Sequence, residues 1–104
     1  MDIEWLDPWY PTDQAGLVEQ LRAEMGPGHI LETEPEIRAV ARRDDSDDAL
    51  FALADGRVAE VHLTWRRSRE TDSRWPLTAI FGSLAEWGRE SMEPLQQKFT
   101  ASGR

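Results

Sequence analysis

Residues 57–66 read RVAEVHLTWR, the longest run in the chain with two-residue alternation, rich in β-branched and aromatic side chains. Such a run is a strand. The turn dipeptide Asp55-Gly56 precedes it, and before that come residues 49–54, ALFALA, apolar at every position as in a strand covered on both faces. A two-residue type I′ turn joins the two as a hairpin and predicts its register: Leu53 opposite Val58, Ala52 opposite Ala59, Phe51 opposite Glu60, Leu50 opposite Val61 and Ala49 opposite His62. On that register one face carries Leu50, Ala52, Ala59, Val61, Leu63 and Trp65 and packs on helices. The other carries Phe51, Leu53 and Val58 beside Glu60, His62 and Thr64. That half-apolar face needs a cover, either the aromatic N-terminal segment or a partner.

Upstream, residues 36–43 (EIRAVARR) alternate at Ile37, Ala39 and Ala41, yet Ile37, Val40 and Ala41 also make a helical stripe. Their length and their place before two strands favour a strand. Residues 29–33, ahead of Pro35, form an extended link or an edge strand. Leu17, Val18, Leu21 and Met25 recur at helical spacing, with Thr12 or Asp13 as the cap and Gly26-Pro27-Gly28 as the stop. In residues 1–11, Pro8 and Pro11 forbid a regular helix, while Trp5, Leu6, Trp9 and Tyr10 give the segment a reason to dock on the domain.

Downstream, residues 66–76 read as a long polar loop and residues 77–81 as a short last strand. Ser83-Leu84-Ala85-Glu86 matches a capping box and starts a helix that Pro94 kinks or divides. Residues 100–104 are expected to fray.

At 104 residues the chain has the length of one domain, able to bury roughly 65% of its unfolded surface unaided. It has no cysteine, which excludes disulfides and thiolate metal sites. With no basic segment leading into an apolar run, and nothing near about 18 consecutive apolar residues, the expectation is a soluble cytoplasmic protein. The net charge of −8 is uneven, because the first 48 residues hold thirteen acids against four bases. A surface of this sign repels nucleic acid and anionic lipid and favours a basic partner, though acidity also serves plain solubility.

The run Asp44-Asp45-Ser46-Asp47-Asp48 lacks the spacing of an EF-hand loop. The predicted hairpin places Asp45 opposite Arg66 and Asp44 opposite Arg67, so charge pairing accounts for the run without a metal. Arg66, Arg67, Arg69 and Arg74 with Trp65 and Trp75 resemble a basic aromatic patch, but the acids opposite, with Glu70 and Asp72, neutralise it. His62 has a direction fixed by its strand, yet Glu60 is at the limit of contact, and no second histidine, cysteine or serine elbow completes a triad. A hydrogen-bonded structural histidine is the simpler reading, and His29 reads as a loop residue. Of the five tryptophans, Trp65 and Trp87 are placed for the core, whereas Trp5, Trp9 and Trp75 in irregular segments either mark a binding surface or plug the ends of the sheet.

DDALF at positions 47–51, VHLTW at 61–65, Trp75-Pro76 and the helix start Ser83-Leu84-Ala85-Glu86-Trp87 together resemble a pattern in small bacterial proteins of uncharacterised function. The resemblance covers the central and C-terminal two thirds of the chain. It implies a shared fold and brings no activity.

The expected fold is α+β: an antiparallel meander of three to four strands, with an N-terminal and a C-terminal helix on one face. The leading functional expectation is a non-enzymatic, acidic interaction module, such as an inhibitor or immunity-type partner of a basic protein. The alternative is a small-molecule or enzymatic site on the second sheet face, with Phe51, Glu60, His62, Thr64, Trp75 and Trp9 as candidate residues. A homodimer through that face is a third expectation. No cofactor, metal, nucleic acid or membrane is expected.

Overall fold

The computed structural model describes residues 3–65, 72 and 74–102. Its alternating runs pair in sequence order into a five-stranded antiparallel sheet: β1 (Trp9–Pro11), β2 (Ile37–Arg43), β3 (Asp48–Leu53), β4 (Val58–His62) and β5 (Thr78–Phe81). Residues 36–43 thus resolve as a strand. The strand beyond the expected three to four is β1, where Trp9, Tyr10 and Pro11 pair with Arg43, Arg42 and Ala41. Its prolines hide it from a strand reading but suit it to the edge, where an N–H is dispensable. Residues 30–33 are turns, not an edge strand.

The predicted hairpin register is off by one. Leu53 N–H donates to Arg57 O at 2.9 Å and Gly56 N–H donates to Leu53 O at 3.2 Å, so the loop has three residues: Ala54, Asp55 and Gly56. Gly56 has φ 94°, which a glycine adopts without steric cost. Phe51 therefore pairs with Ala59, Leu50 with Glu60 and Asp48 with His62. A one-residue slip moves every side chain of one strand to the other face.

Phe51 and Leu53 consequently join Ala59, Val61 and Leu63 on the face covered by helix α1 (Ala15–Glu24), where Leu17, Leu21 and Met25 bury against them. The opposite face holds Ala41, Leu50 and Val58, buried beneath Trp9, Leu84, Trp87 and Met92, with Ile3, Trp5 and Leu6 packed around them. The expectation that both helices share one face is therefore corrected. Five strands present two apolar faces, and each needs a layer. The N-terminal segment does cover the second face, jointly with the C-terminal helix.

α1 begins without a side-chain cap: its N-cap is Gln14, and Thr12 Oγ1 only accepts a 3.4 Å bond from Gln14 N–H. The C-terminal helix starts at Ser83, whose Oγ accepts Glu86 N–H at 3.1 Å, while Glu86 Oε2 reaches back to Gly82 N–H at 3.3 Å. It runs as α2 (Leu84–Trp87), a π-helical turn (Gly88–Met92) and α3 (Glu93–Ser102). Pro94 donates no N–H to the carbonyl four residues earlier, and the wider turn lies where that bond is missing. At Gly88 the N-terminal segment approaches closely, since a Cβ there would lie 3.0 Å from Ile3 Cδ1. Among the described residues no helix is long and apolar enough to cross a membrane.

Candidate functional site

Of the residues singled out from sequence, Glu60 and His62 stay together and the others separate from them. Phe51 is fully buried under α1, on the other face from His62, by the register slip just described. Trp9 is 1% exposed and meets Trp87 edge-on at 5.0 Å, so it is part of the core and not of a surface. Its Nε1 has no hydrogen-bond partner among the described residues. Trp75 does not line the depression at His62; its carbonyl accepts Gly26 N–H at 3.2 Å. Glu60 Oε1 accepts Trp87 Nε1–H at 2.7 Å and Ser91 Oγ–H at 2.5 Å, which ties the C-terminal helix to β4.

His62 does have an orienting carboxylate, and it is Asp48. Nδ1 lies 2.6 Å from Asp48 Oδ1, and the other oxygen of Asp48 accepts Arg43 Nη1–H at 2.9 Å. A carboxylate oxygen only accepts, so Nδ1 carries the proton, and Nε2 of the half-exposed ring has no partner among the described residues. Arg43 also binds Asp45, which raises the pKa of the guanidinium and lowers that of the carboxyl. Asp45 thus has a partner within its own hairpin. The pairings predicted with Arg66 and Arg67 lie outside the described residues, as do three of the four arginines of the expected basic patch. Asp48, Glu60, His62, Leu77, Thr78 and Ala79 line an open depression of about 260 Å³. Among the described residues no three potential ligands converge as a metal site requires. The signal for the Asp48–His62 pair was present in the acidic run, but a register one residue out placed Ala49 opposite the histidine.

A second assembly joins residues far apart in sequence, with no local pattern to mark it. Glu24, the last residue of α1, is fully buried. Its Oε1 accepts from Thr64 N–H and Thr64 Oγ1–H, each at 2.8 Å, and its Oε2 from Trp65 N–H at 2.7 Å and Gln20 Nε2–H at 2.6 Å. Four donors satisfy a carboxylate that would otherwise be costly to bury. They also hold Trp65 at φ 59°, a left-handed backbone that a bulky residue rarely adopts. The strand alternation is broken there, so Trp65 turns outward and is 43% exposed instead of buried. Arg42 Cζ lies 5.8 Å from the centre of the Trp65 ring, and Tyr10, 40% exposed, is the cross-strand partner of Arg42. The loop after β2 packs alongside, with Asp44 N–H donating to Pro8 O at 2.8 Å and Leu63 N–H to Asp47 O at 3.2 Å. Asp44 and Asp47 are exposed on its rim.

His29 sits in a turn yet is buried. Nδ1 accepts Leu31 N–H at 3.1 Å, so Nε2 carries the proton and donates to Pro76 O at 2.8 Å. It binds the loop after α1 to the start of β5.

Comparison with known proteins finds no family model, no curated protein and no solved structure that matches this chain.

Proposed function

We propose that this chain is a non-enzymatic protein-interaction module that recognises a basic partner, in the manner of an acidic inhibitor or immunity-type protein. The observation supporting it is Trp65: a large exposed side chain held in a strained backbone by a fully buried carboxylate, with Arg42 and Tyr10 beside it. Tryptophan, tyrosine and arginine are the residues that most often anchor interfaces, and strain retained at an exposed position points to a use for that position. Asp44 and Asp47 on the rim supply negative charge that would steer a cationic surface inward. The test is affinity capture from lysate with the wild type, Trp65→Ala and the pair Asp44→Asn and Asp47→Asn. The expected result is a basic protein held by the wild type at low salt, released by added salt, and lost with Trp65→Ala. Identical capture by all three chains overturns the reading.

The second reading, a small-molecule or enzymatic site at His62, is favoured by one observation: Asp48 orients the ring, which lines the depression beside Leu77, and leaves Nε2 without a partner among the described residues. Ligand screening by NMR tests it, with shifts confined to His62, Leu77 and Ala79 as the expected outcome.

A further inference from the structure

The sheet has an unfinished stretch of edge. β1 covers only the later part of β2, and the last bond between them runs from Thr12 N–H to Val40 O at 2.9 Å. The direction of the bonds before that point follows from the hairpin. Because Leu53 N–H bonds to Arg57 O, the backbone of Leu53 and Phe51 faces β4 and that of Ala52 faces β2. Its partner Arg38 faces back to β3, so Ile37 and Ala39 aim their N–H and C=O groups outward, where no described residue takes them.

A groove runs along this edge. Three adjoining depressions of about 530, 510 and 380 Å³ share Arg38, and the two larger also share Val18, Arg22 and Ile37. Val18 and Ile37 are only partly buried, because a single ten-residue helix about 15 Å long cannot cover five strands. Two arginines, Arg22 and Arg38, line these depressions. Arg43, Arg57 and Arg74 are each paired with a carboxylate. Arg38 has no ion pair among the described residues, and Arg22 makes only a 3.4 Å bond to Glu34 O. Asp13, Glu19 and Glu36 stand at the rim and disfavour a highly charged occupant.

We infer that residues 37–39 receive an extended segment of a partner protein as an added outer strand, apolar at alternate positions with one carboxylate between them. Side chains opposite Ile37 and Ala39 fall on the α1 face, against Val18 and Ile37; the one opposite Arg38 falls on the other face and meets the guanidinium. This surface lies at the opposite end of β2 from Arg42 and stands independently of the basic-partner reading.

The test titrates a short, end-blocked Val-Glu-Val-type peptide into the isotope-labelled full chain, beside the same peptide with glutamine or lysine in the centre. Expected are amide shifts at Ile37, Ala39 and Val18, with affinity falling about tenfold from glutamate to lysine. Arg38→Glu reverses that order and Arg38→Gln abolishes it; both keep the native spectrum elsewhere, since Arg38 is exposed. Trp65→Ala leaves peptide affinity unchanged. No shifts at residues 37–39, equal affinity for the three peptides, or sedimentation showing that a second copy of the chain occupies this edge each overturns the proposal.

Discussion

Glu24 Oε2 accepts a 2.7 Å hydrogen bond from the backbone N–H of Trp65, so the end of α1 dictates the path of the chain beyond β4. Removing the carboxylate strands the Thr64 and Trp65 donors together. Glu24→Ala is expected to cost about 2–4 kcal/mol in urea unfolding, and Glu24→Gln, which keeps one acceptor oxygen, about half as much. The Trp65 fluorescence maximum should move with the alanine variant. A loss below about 0.5 kcal/mol, the scale of an ordinary surface change, would show that the carboxylate is not what holds this turn.

Asp48 accepts from two donors, Arg43 and His62, whereas His62 has only the one partner, so the two should differ under mutation. Asp48→Ala leaves Arg43 with Asp45 alone and frees His62, costing about 1–2 kcal/mol, while His62→Ala at its exposed position costs under about 1 kcal/mol. Heteronuclear NMR of the neutral ring should find the proton on Nδ1. A proton on Nε2 contradicts the assigned geometry.

Gly56 at φ 94° sets the hairpin loop. Gly56→Ala is expected to cost about 1 kcal/mol, because only glycine enters that region freely. An unchanged melting temperature would point to a different loop.

Gly88→Val drives side-chain atoms into Ile3, which already lies 3.0 Å from the site of a Cβ. Overpacking of this kind costs about 1–3 kcal/mol, and Ile3→Ala in the same chain should recover part of it. Absence of any recovery would separate the two positions.

Stability should fall in acid. The hydrogen bond from Arg43 holds Asp45 below the ordinary aspartate value of 3.8, Arg57 does the same for Asp55, and Arg74 pulls Asp72 to about 2. The unfolded chain therefore takes up protons first as pH falls. The contribution is whole above 3.8 and is lost as pH drops through the folded values. These groups are largely exposed, so the effect is modest and shrinks in salt. Melting temperatures across that range, compared with a chain carrying Asp45→Asn, Asp55→Asn and Asp72→Asn, should show a flatter slope in the variant.

The strands and helices were legible because alternation and capping are local. β3, β4, the Ser83 cap and the stop at Gly26 all follow from neighbours in sequence. What was not legible depends on one-residue choices that local pattern leaves open. Asp55-Gly56 suits a two-residue turn as well as a three-residue loop, and the choice decides whether Phe51 or Leu50 shares a face with His62. The acidic run hid the partner of His62 for the same reason. Trp65 continues a perfect alternation, and only Glu24, far away in sequence, turns it out to solvent.

Ile3 on Gly88 and Trp9 on Trp87 place the beginning and the end of the described chain in one layer. During synthesis α1 and strands β1 to β4 can assemble as soon as β4 has emerged, yet Trp9, Leu50 and Val58 wait uncovered until Trp87 and Met92 follow. A chain arrested before residue 87 would therefore carry a finished first core and an open, aromatic second face. The turns of helix that carry Trp87 and Met92 are thus what closes this face against association with other chains.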